Sequence, residues 1–533
     1  MALTDWYLTA EERDNPDTRL DRRHPDGLAW SDGNLARPLI HGASYFADLV
    51  QRVNAMLRGD LLLFTDWRGD PDELMTDDGP TVSGLLEAAA ERGVDVRGLV
   101  WRSHLDHLQF SQAENRHLGE EIEAAGGEVL LDMRVRPVGS HHQKFVVLRH
   151  PGRPALDIAY VGGIDLSHSR RDTAEHRGDP QKQPMSKVYG SRPPWHDMQV
   201  ALQGPVVGDV ETVFRERWED QAPLSRNPLQ MLLDLARGDD THPKELPPQL
   251  PDPPPCGPHA VQLLRTYPNR LGKGYAFASQ GERSVARGYT KAILRARRLV
   301  YVEDQYLWSD EVARTFADAL TSNPNLYLIA VLPHCPDQDG LAEPANFVGR
   351  ERAVRAITEA GGERVALFGV ENHAGTPVYV HAKVCIVDDV WATIGSDNFN
   401  RRSWTNDSEL SAAVLDATRD ARDPADPAGF GDGARTFARG LRLMLAREHL
   451  DRAEGDDVDL VDPTSAFDAF ATSAAALQAW WDGGRRGTRP PGRLRPLRDP
   501  MLPRSTRLWA TPLYHRLYDP DGRPRRMRRA GRF

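Results

Sequence analysis

No stretch of the 533-residue chain is apolar for 18 residues or more, so no membrane-spanning helix is expected. Cysteine is scarce. Cys256, Cys335 and Cys385 are an odd, scattered set that builds no disulfide framework, and a cytoplasmic protein is expected. The opening MALTDWYLTAEERDNPDTRL lacks a basic region followed by an apolar one, so no secretory signal is expected. Neither a Walker pattern nor G-x-G-x-x-G occurs, which excludes the common Gly-rich phosphate loops. His104-Leu-Asp-His107 comes nearest to a metal pair. No Cys or carboxylate set at zinc spacing accompanies it, so it reads as a cleft-mouth loop and no metal or cofactor is expected.

What remains is an ordinary globular composition, 40% apolar and 27% charged. At this length two domains plus extensions are expected. The net charge of −10 is unevenly spread. From Arg485 to Phe533 there are 15 Arg and 3 Asp, a net of +12, which leaves −22 on the rest. So acidic a body argues against a nucleic-acid partner. The basic tail suits either an anionic lipid surface or pairing with the acidic body. Glu245 to Pro258 (ELPPQLPDPPPCGP) is too proline-rich for helix or central strand and reads as a linker. The expected division is a first domain over 1–225, a linker over 226–258, a second domain over 259–450, and a helical segment with an Arg/Pro-rich arm over 451–533.

The two domains run in parallel. Leu61–Trp67 (LLLFTDW) matches Leu299–Gln305 (LVYVEDQ), and Val94–Trp101 matches Leu326–Pro333. Gly127–Asp132 matches Glu363–Phe368, and His142–Leu148 (HQKFVVL) matches His381–Val387 (HAKVCIV). Ile158–Asp165 (IAYVGGID) matches Trp391–Asn398 (WATIGSDN), and His196–Leu202 matches Ser408–Val414. Each is a strand-length apolar run. Between them lie helical patterns such as Glu282–Arg297, with Val285, Tyr289, Ala292, Ile293 and Ala296 on one face. Strands alternating with helices predict an α/β fold, an α+β sandwich in which each half is a mixed sheet flanked by helices.

The second half carries His381-x-Lys383, Asp388, Gly395-Ser396 and Asn398, that is, H-x-K-x4-D-x6-G-S-x-N. The first half repeats it imperfectly as His142-x-Lys144 and Gly162-Gly163-x-Asp165. On a strand, residues i and i+2 share a face, so imidazole and ammonium project together. Histidine serves as nucleophile, acid or base near neutrality, and lysine stabilises phosphate charge. One such pair alone reads as an exposed polar pair. Two copies at matching places in a repeat, each followed by the glycine pair and an acidic strand residue, point to catalysis. His141 should face away from its neighbour and be structural. Trp67, Tyr306 and Trp308 follow the first strand of each half and suit either a lipid-facing rim or ordinary packing.

These residues resemble the HKD motifs of the phospholipase D superfamily. The segments Tyr301–Tyr306, Gly162–Leu166, Glu175–Arg177, Pro194–Asp197, Asn398–Ser403 and Asp407–Glu409 extend the likeness to its eukaryotic-type phospholipase branch. The resemblance implies two similar domains related by a pseudo-twofold, with one active site between them. It implies hydrolysis of glycerophospholipids to phosphatidic acid, with possible transphosphatidylation. His142 is then the nucleophile and His381 the acid/base. Lys144, Lys383 and Asn398 bind phosphate, and Asp197 and Glu409 each hold the far nitrogen of their histidine. Asp388, Gly395, Ser396, Gly162, Gly163 and Asp165 support the motifs. No metal enters the chemistry. The partner is a phospholipid surface, touched through the cleft rim or the basic tail, and a monomer is expected. Rival readings are a cardiolipin-synthase-like phosphatidyltransferase, a nucleic-acid phosphodiesterase and a non-enzymatic lipid scaffold. One departure stands out: Arg149 occupies the place of the motif aspartate, and Asp157 is the candidate replacement.

Overall fold

The computed structural model describes residues 2–103, 112–225, 227–237, 241–270, 274–339, 343–498 and 502–533. The His104–His107 motif falls outside them. The first half contributes β1 (Ser31–Ile40), β2 (Leu61–Asp66), β3 (Asp95–Trp101), β4 (Glu128–Asp132), β5 (Phe145–Arg149), β6 (Ile158–Gly162), β7 (Trp195–His196) and β8 (Met198–Gln203). The second contributes β9 (His259–Tyr267), β10 (Glu282–Arg283), β11 (Leu299–Glu303), β12 (Tyr327–Val331), β13 (Val365–Val370), β14 (Tyr379–Val380), β15 (Val384–Val387), β16 (Trp391–Gly395) and β17 (Glu409–Asp416), and the tail adds β18 (Leu494–Pro496).

The strand order is β18-β13-β12-β11-β15-β16-β17-β9-β1-β8-β6-β5-β2-β3-β4. Read outward from the central β9–β1 pair, the two sides have the same order, so the halves are related by a pseudo-twofold at that seam. The architecture is α/β, with parallel and antiparallel pairing mixed within each half. The two half-sheets join edge to edge, an arrangement that the periodicity did not reveal. The seam is thin, with Ser31 opposite Val261 and Asn34 opposite His259 around an irregularity.

Strands buried on both faces explain the nearly continuous apolar runs. In β2, Leu61 and Leu63 enter one core while Leu62 and Phe64 enter another. In β15, Val384 and Ile386 face the first core, and Cys385 and Val387 a third. The first core runs through both halves. It is covered by the wholly buried helix Val206–Trp218 and by the helix Thr436–His449. The stripe Val285, Tyr289, Ala292 and Ile293 is buried on the helix Ser284–Arg295, as its spacing predicts.

Three expectations need correcting. First, the H-x-K residues do not lie on strands: His142 and Lys144 precede β5, and His381 and Lys383 precede β15. Second, a first domain beginning at residue 1 misplaces the N-terminal segment. Trp6, Tyr7 and Leu8 pack in the core of the second half, where the Tyr7 hydroxyl donates to the carbonyls of Ala260 and Ala413. Third, the C-terminal arm is more than an extended cover. β18 pairs with β13, and the helix Arg504–Leu513 and its continuation place Ala510 and Tyr514 against Trp308 and Phe347. Several of its arginines do pair with the body, Arg489 with Glu371, Arg493 with Asp451 and Arg523 with Glu311. The Pro-rich segment is strapped down: the Pro251 carbonyl accepts from Arg149 and that of Pro247 from Arg215. No helix among the described residues is long and apolar enough to cross a membrane.

Candidate active site

Each H-x-K motif enters its own sheet from a segment paired with the other half. The His142 amide donates to the Ser408 carbonyl (2.9 Å), and the Ser408 amide to the Ser140 carbonyl (3.0 Å). On the other side β14 pairs with β7 in parallel, and the His381 amide donates to the His196 carbonyl (2.7 Å). Ser408 immediately precedes Glu409, and His196 immediately precedes Asp197. The carboxylate of one half is therefore delivered to the histidine of the other.

The side chains follow that exchange. His142 Nδ1 lies 2.9 Å from Glu409 Oε2, and His381 Nδ1 lies 2.6 Å from Asp197 Oδ2. The expectation that each carboxylate holds the histidine of its own motif is thus corrected: the pairs are crossed. With Nδ1 bound to a carboxylate, Nε2 is the free atom of each ring. Ser396 donates its hydroxyl to Glu409 Oε2 at 2.6 Å, while the Met198 amide donates to Asp197 Oδ1 at 2.8 Å.

The four catalytic candidates feel one another. Burial, then Lys144 and Lys383, holds His142 well below the ordinary imidazole range. Burial, then Lys383, Arg170, Lys144 and His142, does the same to His381. Burial lifts Asp197 to about 6, and burial with the nearby Asp407 lifts Glu409 to about 8. The lysines differ. Lys144 Nζ is 3.5 Å from Asp165 Oδ1, which is also 3.2 Å (through Oδ2) from Arg170. Lys383 has no carboxylate within 4.0 Å among the described residues. It contacts Gln305 Oε1 at 3.4 Å and its own motif's His381 carbonyl, and burial lowers it to about 8. Lys383 thus stands beside a histidine with no anion in contact among the described residues, the setting in which a phosphate oxygen gains most, whereas Lys144 shares its charge with Asp165.

The glycines are steric requirements. A Cβ on Gly162 would collide with Gln199 and the Met198 carbonyl, one on Gly395 with Ser411, and one on Gly163 with Asp197 itself. Asp388 lies at the β15–β16 turn and accepts from the amides of Arg297, Arg298 and Leu299, so it fastens β11 to β15. Asp157 does not substitute for it. It binds Arg149 Nε (2.9 Å) and the His150 amide (2.7 Å), because an arginine at the motif position needs a carboxylate of its own. Asn398 is buried, and its Oδ1 has no hydrogen-bond partner among the described residues. His141 is buried, with Nε2 3.2 Å from Gln143 Oε1 and Nδ1 3.8 Å from Asp132 Oδ2.

Some residues escaped the sequence reading. Asp66 ends β2 and Asp304 immediately follows β11. Asp66 accepts from the Leu166 amide and Asp304 from the Phe399 amide, and each thereby fixes the loop that carries Asp165 or Asn398. Their matching places in the repeat were a usable signal. Arg170, buried with its guanidinium 4.0 Å from the Trp195 ring, had none. Trp195 lies 4.9 Å from the His381 ring, and Trp67 stands edge-on to His142 at 6.2 Å, so each histidine has an aromatic wall. Tyr306 and Trp308 line a small cavity with Gln305, Phe347, Arg350 and Tyr379.

Two family models match the chain: that described as Phospholipase D over residues 72–315, and that described as Cardiolipin synthase, PLD-like domain, over residues 289–422. Among curated proteins, phospholipase D alpha 1 of Oryza sativa subsp. japonica is 26% identical over 521 residues, covering 75% of this chain and 62% of the relative. Phospholipase D alpha 1 of Arabidopsis thaliana is 26% identical over 506 residues, covering 72% and 60%. The chain thus spans 60–62% of the length of these relatives. Among solved structures, the phosphatidylserine synthase of Haemophilus influenzae Rd KW20 aligns with a TM-score of 0.47 and 13% identity, covering 72% of this chain and 82% of that one.

Proposed function

Because the chain belongs to the phospholipase D superfamily, we propose that it cleaves the distal phosphodiester bond of glycerophospholipids, releasing the head group and phosphatidic acid. The observation that carries this reading is the pair of crossed imidazole–carboxylate contacts beside two buried lysines, with both halves contributing. In the proposed reaction His142 Nε2 attacks phosphorus while Lys144 and Lys383 hold the non-bridging oxygens. His381 Nε2 protonates the leaving head-group oxygen, and a phosphohistidine forms. His381 then deprotonates water, whose oxygen displaces His142 and gives phosphatidic acid. An alcohol in place of water gives a new phosphatidyl ester. Glu409 and Asp197 hold Nδ1–H on each ring and stabilise the imidazolium when it forms. Burial and then the nearby cations discharge His381 in the free protein; the bound phosphodiester anion offsets part of that positive charge, which favours the proton His381 must donate.

Contact with a lipid aggregate fits the C-terminal arm, where Leu508, Trp509 and Leu517 are exposed among arginines. A second reading, phosphatidyl transfer to an alcohol acceptor as the main reaction, is favoured by the match of residues 289–422 to the cardiolipin synthase description. One assay separates these readings. Purified protein is given phosphatidylcholine, phosphatidylethanolamine and phosphatidylglycerol vesicles with and without ethanol. Phosphatidic acid in water and phosphatidylethanol with ethanol are expected. Cardiolipin from phosphatidylglycerol, with little phosphatidic acid from any lipid, gives the second reading. Turnover of bis(p-nitrophenyl) phosphate with no lipid product overturns both.

The pH profile of kcat/KM follows from the same groups, since it reports the free protein. His142 must be neutral to attack and His381 protonated to donate; both are held below 6.5 in the free protein, so the acid limb and a first decline of kcat/KM are both expected below pH 6.5. Lys383 must be charged, and it sits at about 8, so a second, steeper fall, the alkaline limb, is expected as the pH passes about 8. Lys383→Arg keeps the charge and should move the alkaline limb upward whatever it does to the maximum. An acid limb above pH 6.5, or an alkaline limb unmoved by Lys383→Arg, contradicts this assignment.

A further inference from the structure

Behind the catalytic face four side chains from four separate elements converge on a buried point that the reaction does not use. His41 follows β1, His176 lies between β6 and β7, His196 ends β7, and Glu448 belongs to the helix Thr436–His449. One donor atom from each lies within 4.8 Å of all the others. Three imidazoles face one carboxylate: His41 Nε2 at 2.8 Å, His176 Nε2 at 3.0 Å and His196 Nδ1 at 3.4 Å.

Hydrogen bonding alone accounts poorly for this cluster. His176 Nδ1 is 3.1 Å from the Trp195 carbonyl, which can only accept, so that nitrogen carries a proton. His196 Nε2 is 2.7 Å from Glu303 Oε2, again an acceptor, and Glu303 is fixed by the Tyr301 hydroxyl (2.6 Å) and His449 Nε2 (2.7 Å). A neutral imidazole has one N–H. With that proton directed outward, His176 Nε2 and His196 Nδ1 turn lone pairs toward the Glu448 carboxylate, acceptor against acceptor. A proton on His196 Nδ1, between Glu303 and Glu448, resolves one of these contacts, but His176 Nε2 still faces the carboxylate unless a second buried imidazole or Glu448 itself takes a proton. A single cation at the centre resolves it with every ring neutral.

We propose that His41, His176, His196 and Glu448 form a closed four-ligand site for a divalent first-row transition metal, Zn²⁺ by its donor set. Imidazole and carboxylate donors suit that ion, and four protein ligands with no open position make the site structural rather than catalytic. The outward bonds of His176 and His196 to a carbonyl and a carboxylate are the supports that orient metal-bound histidines. Donors around a tetrahedral ion with bonds of about 2.0–2.1 Å stand roughly 3.3 Å apart; here each imidazole donor is 2.8–3.4 Å from Glu448 and no two donors are more than 4.8 Å apart. The charge balances as well: the dication is offset by Glu448 and by Glu303 behind His196. His41 and His176 are held at φ 70° and 50°, a conformation that costs a non-glycine residue energy and turns both rings inward. The ion would clamp the segment carrying His196 and Asp197 to the helix Thr436–His449, directly behind His381, whose amide donates to the His196 carbonyl.

The test is metal content and does not depend on turnover, so an inactive protein that holds metal keeps the site and sinks only the phospholipid reading. The full chain as purified is expected to carry about one zinc per molecule, and His142→Ala/His381→Ala to carry the same. His176→Ala and Glu448→Gln should fall to a small fraction of that. If those variants do not fold, the wild type decides: stripped with chelator and given Co²⁺ alone, it should bind one equivalent and show the visible bands of tetrahedral cobalt. Wild-type protein that is metal-free as purified and takes up neither Zn²⁺ nor Co²⁺ overturns the proposal. A folded His176→Ala variant with undiminished metal does so too.

Discussion

His142→Ala and His381→Ala are each expected to lower lipid turnover by on the order of 10⁴-fold or more, about 5 kcal/mol of barrier at 1.36 kcal/mol per decade. The two losses differ in kind. With a p-nitrophenyl phosphodiester the leaving group needs no proton. His381→Ala should then release about one equivalent of nitrophenol and stall as a phosphohistidine, because His142 attacks but no base activates water. His142→Ala should give no burst and no phosphoenzyme. Acid-labile phosphate retained on His142→Ala, and absent from His381→Ala, would reverse the two roles. Wild-type rates in either variant would remove that histidine from the reaction.

The crossed carboxylates carry the second large effect. Glu409→Gln and Asp197→Asn keep the size of each side chain but remove the carboxyl group that can ionise beside an imidazolium. Each is expected to cost about 10²–10⁴-fold in kcat, the range of a positioned proton-transfer group and its support. The crossing decides which step suffers. Glu409 binds His142, so Glu409→Gln should suppress the nitrophenol burst although Glu409 belongs to the half that supplies His381. Asp197 binds His381, so Asp197→Asn should keep the burst and slow phosphoenzyme breakdown. The opposite pattern, Asp197→Asn losing the burst and Glu409→Gln keeping it, would mean that each carboxylate serves its own motif. Both variants also need a folding control, because a buried carboxylate leaves unpaired partners when changed. For Glu409→Gln the Ser396 hydroxyl can still donate to the amide oxygen.

Much of this molecule is legible along the chain because its information is local or repeated. The strands of β2, β3, β5, β11, β12 and β15 show as apolar runs because helices cover both their faces. The motif histidines, lysines and glycines show because chemistry and close packing at Gly162, Gly163 and Gly395 tolerate few alternatives. The repeat shows because each half builds the same sheet. Less visible are β1 and β9, the strands of the seam, whose partners lie in different halves. Arg170 reads as one arginine among many, and nothing in its neighbourhood of sequence points to the Trp195 ring and Asp165. The same holds for His41, His176, His196 and Glu448, which are scattered from residue 41 to residue 448 and meet only in the fold.

By itself the sequence determined the residue types of the site, the repeat and the family these imply. Tertiary structure alone decided which carboxylate serves which histidine. His142 and Glu409 are 267 residues apart, and His381 and Asp197 are 184 apart. Equivalent positions in a repeat are interchangeable on paper, so a pattern cannot distinguish own from crossed pairing. The pairing of Ser408 with the segment before β5, and of β7 with β14, distinguishes them, because main-chain hydrogen bonds between the halves deliver each carboxylate to the opposite ring.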